Sequence, residues 1–202
     1  MEFLNQNIVL YILVYLISSV PFGYLLALKF AKVNVKNSGS GNIGATNVLR
    51  VVKEKDPVLA KKLGAITLFL DAIKGVVILV IAIMLDAPEN TLWAISILAV
   101  IGHCFSIFLS FEGGKGVATA IGVLAIMVPY SALVAIIVWA FSGKALKISS
   151  LSSLIGLIAL VISSYILYPL IAHSPIWIIA IIVFYQHTPN ILRIIYKEEQ
   201  VI

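Results

Sequence analysis

Charge is scarce in this 202-residue chain: Asp, Glu, Lys and Arg make up 11% of it, where a soluble domain carries about 25%. With 61% hydrophobic residues and a mean hydropathy of +1.10, the shortfall excludes an ordinary soluble domain and predicts an integral membrane protein. Cysteine is nearly missing as well. Cys104 stands alone, so an intrachain disulfide is excluded, and no Cys/His pair has zinc-site spacing; neither metal nor cofactor is expected. Inside its apolar stretch Cys104 reads as a small core residue. There is no internal repeat, no low-complexity tract and no length for a second domain, so residues 1–202 are expected to form a single membrane-embedded domain. The first apolar stretch, 8–30, is longer than a signal-peptide core and follows Met1-Glu2 rather than a basic segment, so it is expected to persist as a span.

What the chain does have is hydrocarbon in long runs. Residues 8–30, 63–85 and 92–111 are each long enough to cross a bilayer, since about 20 apolar residues cover its core. Residues 116–141 form either one long helix or two short ones broken at Pro129, and 151–171 and 176–185 follow. Charge decides between these. With the break there are seven spans, the amino terminus is outside and the carboxyl terminus cytoplasmic. The inner side then receives Lys29, Lys32, Lys36, Arg50, Lys53, Lys55, Lys61, Lys62, Lys115, Lys144, Lys147, Arg193 and Lys197, 13 of the 14 basic residues. Lys74 falls within a span, and the outer side carries Glu2, Asp86 and Glu89. Without the break, Lys144 and Lys147 move outside, so the positive-inside rule favours seven. The cost is a pair of spans of about 12 residues, near 18 Å each at 1.5 Å per residue.

Against this background the glycine-rich segments stand out. Lipid-exposed irregular backbone is not tolerated in the hydrocarbon region. The run Ser38-Gly39-Ser40-Gly41-Asn42-Ile43-Gly44-Ala45-Thr46-Asn47-Val48-Leu49-Arg50, the turn Phe111-Glu112-Gly113-Gly114-Lys115-Gly116-Val117 and the cluster His187-Thr188-Pro189-Asn190 with Arg193 should therefore lie at the surface or line a polar cavity. On the seven-span topology all three are cytoplasmic and are expected to meet. Glycine lets successive amides point at one anion, and a helix opening after Gly113-Gly114-Lys115-Gly116 adds its positive dipole end. A phosphorylated substrate is the natural ligand.

Two nucleotide-site readings fail. Gly39-Ser40-Gly41-Asn42-Ile43-Gly44 matches G-x-G-x-x-G, but Lys61-Lys62-Leu63-Gly64 stands where a dinucleotide fold needs an acid. The Lys115 turn has Leu109 and Val117 where a P-loop needs Gly and Ser or Thr. Most of the other lysines read as orientation signals and lipid-surface contacts. His103, Asp71 and Lys74 are intramembrane polar groups: either a functional site, or an i, i+3 pair that neutralises itself. His173, beside Ser174-Pro175, reads as a turn residue. Thr188 before Pro189 predicts an N-cap and a cytoplasmic helix on which Asn190 and Arg193 share a face. Glu199 lies on the opposite side of an ideal helix from Asn190, unless the tail curls back.

The motifs Gly39-Ser40-Gly41-Asn42 with Gly44-Ala45-Thr46-Asn47 and Arg50, then Gly102-His103 and Phe111-x-Gly113-Gly114-Lys115-Gly116-Val117-Ala118-Thr119, then His187-x-x-Asn190-Ile191-x-Arg193 and Glu199, resemble those of the bacterial acyl-phosphate:glycerol-3-phosphate acyltransferases, the PlsY family. They occur in order over nearly the whole chain; Ile43 stands where that family frequently has proline. The resemblance implies transfer of a fatty acyl group from acyl phosphate to the 1-hydroxyl of glycerol 3-phosphate, giving lysophosphatidic acid and phosphate. It implies a multi-pass protein of the bacterial cytoplasmic membrane with its site on the cytoplasmic side, membrane lipids around it and no nucleic-acid partner. It places Ser40, Arg50, Lys115, His187, Asn190 and Glu199 at the family's functional positions; His187, Ser40 and Asn190 are expected in catalysis, and Arg50, Lys115, Gly113, Gly114, Gly116, Asn42, Asn47, Thr119, Arg193 and Glu199 in substrate or phosphate binding. Glu198 or Glu199 fills the family's glutamate position.

The chemistry agrees with these assignments. Acyl phosphate is a mixed anhydride with a good leaving group, so orientation and charge stabilisation suffice, without a covalent intermediate. Thioester-dependent acyltransferases are built on H-x-x-x-x-D; here Phe108, Ile178 and Leu192 occupy the fifth positions after His103, His173 and His187. Lys115 and the glycine amides are expected at one phosphate, Arg50 and Ser40 at the other phosphate or the developing oxyanion, and Asn190 at the glycerol hydroxyls. The base is either His187 or a substrate phosphate. The competing reading is an organophosphate or anion transporter, which would favour a midplane site and internal repeats.

Overall fold

In the computed structural model the protein is all helical, and the structure describes residues 2–199, with side chains from residue 7 onward. Met1, and the side chain of Glu2 that the charge count assigned to the outer side, lie outside the described residues. The chain divides into two compact units, Met1–Val123 and Leu124–Ile202.

The first unit contains α1 (Glu2–Ser19), α2 (Phe22–Leu26), which continues into a wider helical turn over Ala27–Ala31, α3 (Ala45–Lys53), α4 (Pro57–Met84) and α5 (Glu89–Cys104). Helices α1, α4 and α5 pack on one another, and α3 packs on α4. The first span runs Asn7–Ala31 as expected. It is interrupted at Val20-Pro21, because proline has no N–H and obstructs the preceding turn. That break leaves the Val20 carbonyl for another donor, and the Lys74 ammonium takes it at 3.2 Å.

Helix α4 begins at Pro57, six residues before the expected start. Asp56 is its N-cap, its carboxylate accepting from the amides of Val58 and Leu59 at 2.9 Å, with proline at the first helical position. Its 28 residues make a helix about 42 Å long, beyond a hydrocarbon core of about 30 Å. The segment 32–62, expected as a loop, is thus half helix. Helix α3 closes over a cluster of Ala27, Val35, Ile43, Val48, Val52 and Leu63. Helix α5 stops at Cys104, short of the expected Phe111, and Ser110 and Phe111 turn the chain through left-handed backbone (φ 55° and 65°).

The unit boundary falls within α6 (Val117–Met127). The second unit then holds α7 (Pro129–Leu146), α8 (Ser149–Leu167), α9 (Ser174–Gln186) and α10 (Thr188–Ile195), with α7 packed on α8, α8 on α9 and α9 on α10. The break at Pro129 is present, but the two pieces are unequal: α6 has 11 residues and α7 has 18. Among the described residues, five helical segments are long and apolar enough to cross a membrane: Asn7–Ala31, Pro57–Met84, Glu89–Leu109, Pro129–Leu146 and Ser149–Leu167. A sixth is added if α9 and α10, bent by 55°, count as one. The structure therefore establishes a polytopic helical membrane protein with five to six candidate spans. The expected seven would also require the short α6.

Candidate active site

In the first unit, residues 38–50 are organised by one side chain. Asn47 is buried. Its Oδ1 accepts from the Ser40 amide at 2.9 Å, and its Nδ2 faces the carbonyls of Val35 (3.1 Å), Ser38 (3.1 Å) and Asn42 (2.8 Å). Gly39, with φ 61°, lies so close to Asn47 Oδ1 that a Cβ there would overlap it. Asn42 accepts from the Gly44 amide at 2.8 Å, and Gly44 caps α3. Asn42 and Asn47, both expected at the substrate, therefore have these polar atoms engaged by backbone: they shape the loop that presents Ser40 and the helix that presents Arg50. Ser40 and Arg50 are both half-buried, and Arg50 lies three residues after Asn47, on the neighbouring position of the same helical face.

The Gly113–Gly116 turn is built against the end of α5. The Gly113 amide donates to the Cys104 carbonyl and the Gly114 amide to the His103 carbonyl, each at 3.0 Å. This corrects the expectation that the amides of Gly113 and Gly114 face a phosphate; they face protein carbonyls. The amides that remain suited to an anion belong to the first turn of α6, where a helix has no internal acceptor for them. Lys115, half-buried, precedes that turn, and Gly116 enters it with φ 82°. Thr119, also expected at the substrate, is fully buried and donates to the Asp71 carbonyl at 2.7 Å. The two loops of this unit are joined by the Lys36 ammonium and the Glu112 carboxylate, 2.9 Å apart at the surface. That hydrogen bond and charge hold the Glu112 carboxyl below the usual range.

The second unit gathers the remaining residues around Glu199. Helix α10 starts at Thr188, with His187 in the capping position; the Thr188 hydroxyl donates back to the Tyr185 carbonyl at 2.6 Å and caps nothing. Asn190 and Arg193 share a face as expected. The helix ends at Ile195, Lys197 turns through left-handed backbone (φ 61°), and the Glu198 amide donates to the Arg193 carbonyl at 2.7 Å. The chain thereby folds back and delivers Glu199, not Glu198, to Asn190 Nδ2 (2.6 Å to Oε1) and Arg193 Nε (2.7 Å to Oε2). A residue absent from the sequence reading joins them: Ser150, buried at the start of α8, donates to Glu199 Oε1 at 2.7 Å. Its signal was the polar pair Ser149-Ser150 following Lys147 at the head of a span.

Two features of this cluster bear on chemistry. His187 is buried, and its Nδ1 lies 2.7 Å from the Val183 carbonyl. A carbonyl only accepts, so Nδ1 carries the proton and Nε2 is the basic nitrogen. Asn190 Oδ1 is buried without a hydrogen-bond partner among the described residues, and an orphaned buried acceptor is costly unless a donor arrives.

Burial opposes the charge on Glu199, but hydrogen bonds from Ser150, Arg193 and Asn190 outweigh it and hold the carboxyl below its ordinary value. A depressed folded-state pKa gives stabilisation that is complete above the unfolded value, about 4.3, and is lost as pH falls through the folded one. A nitroxide at position 197 on a Cys104→Ser background should therefore stay immobile down to about pH 4 and loosen below it. Loosening between pH 6 and 7 would contradict the docked tail.

The comparisons with known proteins converge. The profile of the family described as glycerol-3-phosphate acyltransferase matches residues 8–197. The chain is 56% identical over 201 residues to the glycerol-3-phosphate acyltransferase of Sulfurimonas denitrificans, covering 99% of this chain and 98% of the relative. It is 55% identical over 203 residues to that of Aliarcobacter butzleri, covering 98% of each. Among solved structures it is similar to PlsY (YgiH), an integral membrane glycerol 3-phosphate acyltransferase, in its glycerol 3-phosphate form: TM-score 0.87, 33% identity, 98% of this chain and 96% of that one. The lysophosphatidic acid form of PlsY gives a TM-score of 0.83 at 32% identity, with 97% and 95% coverage.

Proposed function

Because the chain belongs to the glycerol-3-phosphate acyltransferase family, we propose that it transfers a fatty acyl group from acyl phosphate to the 1-hydroxyl of glycerol 3-phosphate, releasing lysophosphatidic acid and phosphate. The reading takes 1–202 as one acyltransferase domain, supported by a family match that covers residues of both units. The observation that carries the reading is Asn190 Oδ1, a buried acceptor waiting for a donor on the helix that His187 caps. The 2-hydroxyl of glycerol 3-phosphate supplies that donor, which leaves the proton of the reacting 1-hydroxyl for the base. The hydroxyl oxygen attacks the acyl carbonyl carbon, the carbon–oxygen bond to phosphate breaks, and the hydroxyl proton passes to His187 Nε2 and from there to the departing phosphate. Lys115 and Arg50 bind the phosphate groups, and Ser40 binds beside them. Glu199 and Arg193 hold Asn190 in place. Family membership sets aside the anion-transporter reading.

Purified protein given labelled acyl phosphate and glycerol 3-phosphate should form labelled lysophosphatidic acid; absence of product would refute the reading. Acyl phosphate is already activated, so transfer is direct. With the acyl donor alone, the denatured protein should therefore carry no label. Stable label that vanishes in Ser40→Ala would establish an acyl-enzyme instead.

The site faces the cytoplasm in a bacterial cytoplasmic membrane crossed seven times, with α6 and α9 as short crossings; the support is the basic bias of one set of loops. Single cysteines at positions 55 and 144, on a Cys104→Ala background, should resist an impermeant thiol reagent applied from outside. One at position 90 should react. External labelling at 144 would overturn the seven-span topology.

A further inference from the structure

We propose that Asp71, His103 and Thr119 form a clamp of positioning residues that fixes where Lys115 is presented to its anion; the proposal rests on the acyl-transfer reading above. The starting point is a buried charge pair that the transfer chemistry does not use. Asp71 and Lys74 lie one turn apart on α4, with side chains 4% and 2% exposed and Nζ 3.1 Å from Oδ1. Charges within a membrane-spanning helix are expensive to keep. His103 Nδ1 faces the same Asp71 oxygen at 3.6 Å, beyond hydrogen-bond distance, and is buried without a hydrogen-bond partner among the described residues.

His103 connects this pair to the glycine turn. Its carbonyl accepts from the Gly114 amide. Its Nε2 edge points so closely at Gly114 that a Cβ at that position would overlap Nε2 and crowd Cε1 and Cδ2. Lys115 is the next residue. On its other side, four residues on, Thr119 Oγ1 donates to the Asp71 carbonyl at 2.7 Å, with both groups buried. The lysine is thus bracketed. The residue before it rests on His103, the first turn of α6 is tied to Asp71, and His103 and Asp71 face each other. All of these contacts lie within the first unit. They set the base of the Lys115 side chain against the α4–α5 pair, which turns a glycine-rich segment into a defined platform for a phosphate.

The test uses the full-length protein in detergent with inorganic phosphate as the probe. Thr119→Val keeps the shape and removes the hydroxyl; Thr119→Ser keeps the hydroxyl. His103→Phe keeps an aromatic ring at that position and removes the nitrogen facing Asp71. Thr119→Val and His103→Phe should each weaken inhibition by inorganic phosphate and raise the KM of one phosphate-bearing substrate by about three- to tenfold, with kcat changed less than twofold. Thr119→Ser should restore wild-type values. Should His103→Phe fail to fold, Thr119→Val against Thr119→Ser decides alone. Unchanged phosphate inhibition and KM in folded Thr119→Val, or failure of serine to restore them, would overturn the clamp. The thermal stabilisation given by inorganic phosphate provides a readout independent of turnover. A wild-type protein that makes no lysophosphatidic acid would defeat the functional reading, while the difference in phosphate stabilisation between wild type and Thr119→Val still judges the clamp.

Discussion

His187→Ala should lower kcat by about 10²–10⁴-fold, the range associated with losing a general base, while the KM of either substrate moves little. The asymmetry follows from how the ring is held. Val183, one turn back on α9, takes the Nδ1 proton at 2.7 Å, so ring orientation and tautomer are fixed by backbone that substrate does not disturb. Alanine removes the basic nitrogen and leaves the α9–α10 connection, in which the His187 carbonyl accepts from the amides of Asn190 and Ile191 at 2.9 Å. The orphaned Asn190 acceptor therefore survives, and with it the binding of the glycerol hydroxyl. The decisive measurement is the pair of constants kcat and KM under saturating acyl phosphate. A variant that keeps most of its rate would transfer the role of base to an oxygen of the substrate's own phosphate.

Lys115→Ala should reduce kcat/KM by roughly 10- to 150-fold, corresponding to one charge-assisted contact of about 1.5–3 kcal/mol. Unlike the histidine variant, it should act mainly through KM. Arg50→Ala belongs to the same class, and Arg50→Lys should recover only part of the loss, because lysine lacks the bidentate fork of the guanidinium. Near-normal constants for Lys115→Ala would remove that residue from the anion site and leave the first turn of α6 without its cation.

The features that sequence expressed best were those written in single residues with one physical meaning. Pro129 and Pro189 each mark a helix start, and each is found there. Asp56-Pro57 carries the same signal as strongly, but lysines 61 and 62 drew the expected boundary to the apolar run behind them; hydropathy measures solvent, whereas capping is local hydrogen bonding. Pro21 was passed over for the same reason, since the run around it stays apolar. The motif residues were legible as a set, and their individual tasks were not. Whether a glycine amide points at a ligand or at a carbonyl depends on where α5 ends, and the sequence placed that end at Phe111 instead of Cys104. Likewise an asparagine in a polar loop reads equally well as a ligand contact or as the loop's internal brace, and Asn47 proved to be the brace. Ser150 escaped because its partner, Glu199, is 49 residues away and reaches it only through the turn at Lys197.

The bracing by Asn47 also sets how this segment tolerates change. One amide group meets four backbone groups, so residues 38–47 cannot drift piecemeal under mutation. Aspartate there, although nearly identical in shape, would turn a donor facing three carbonyls into a second acceptor. In a library of single substitutions, position 47 should reject aspartate as firmly as leucine.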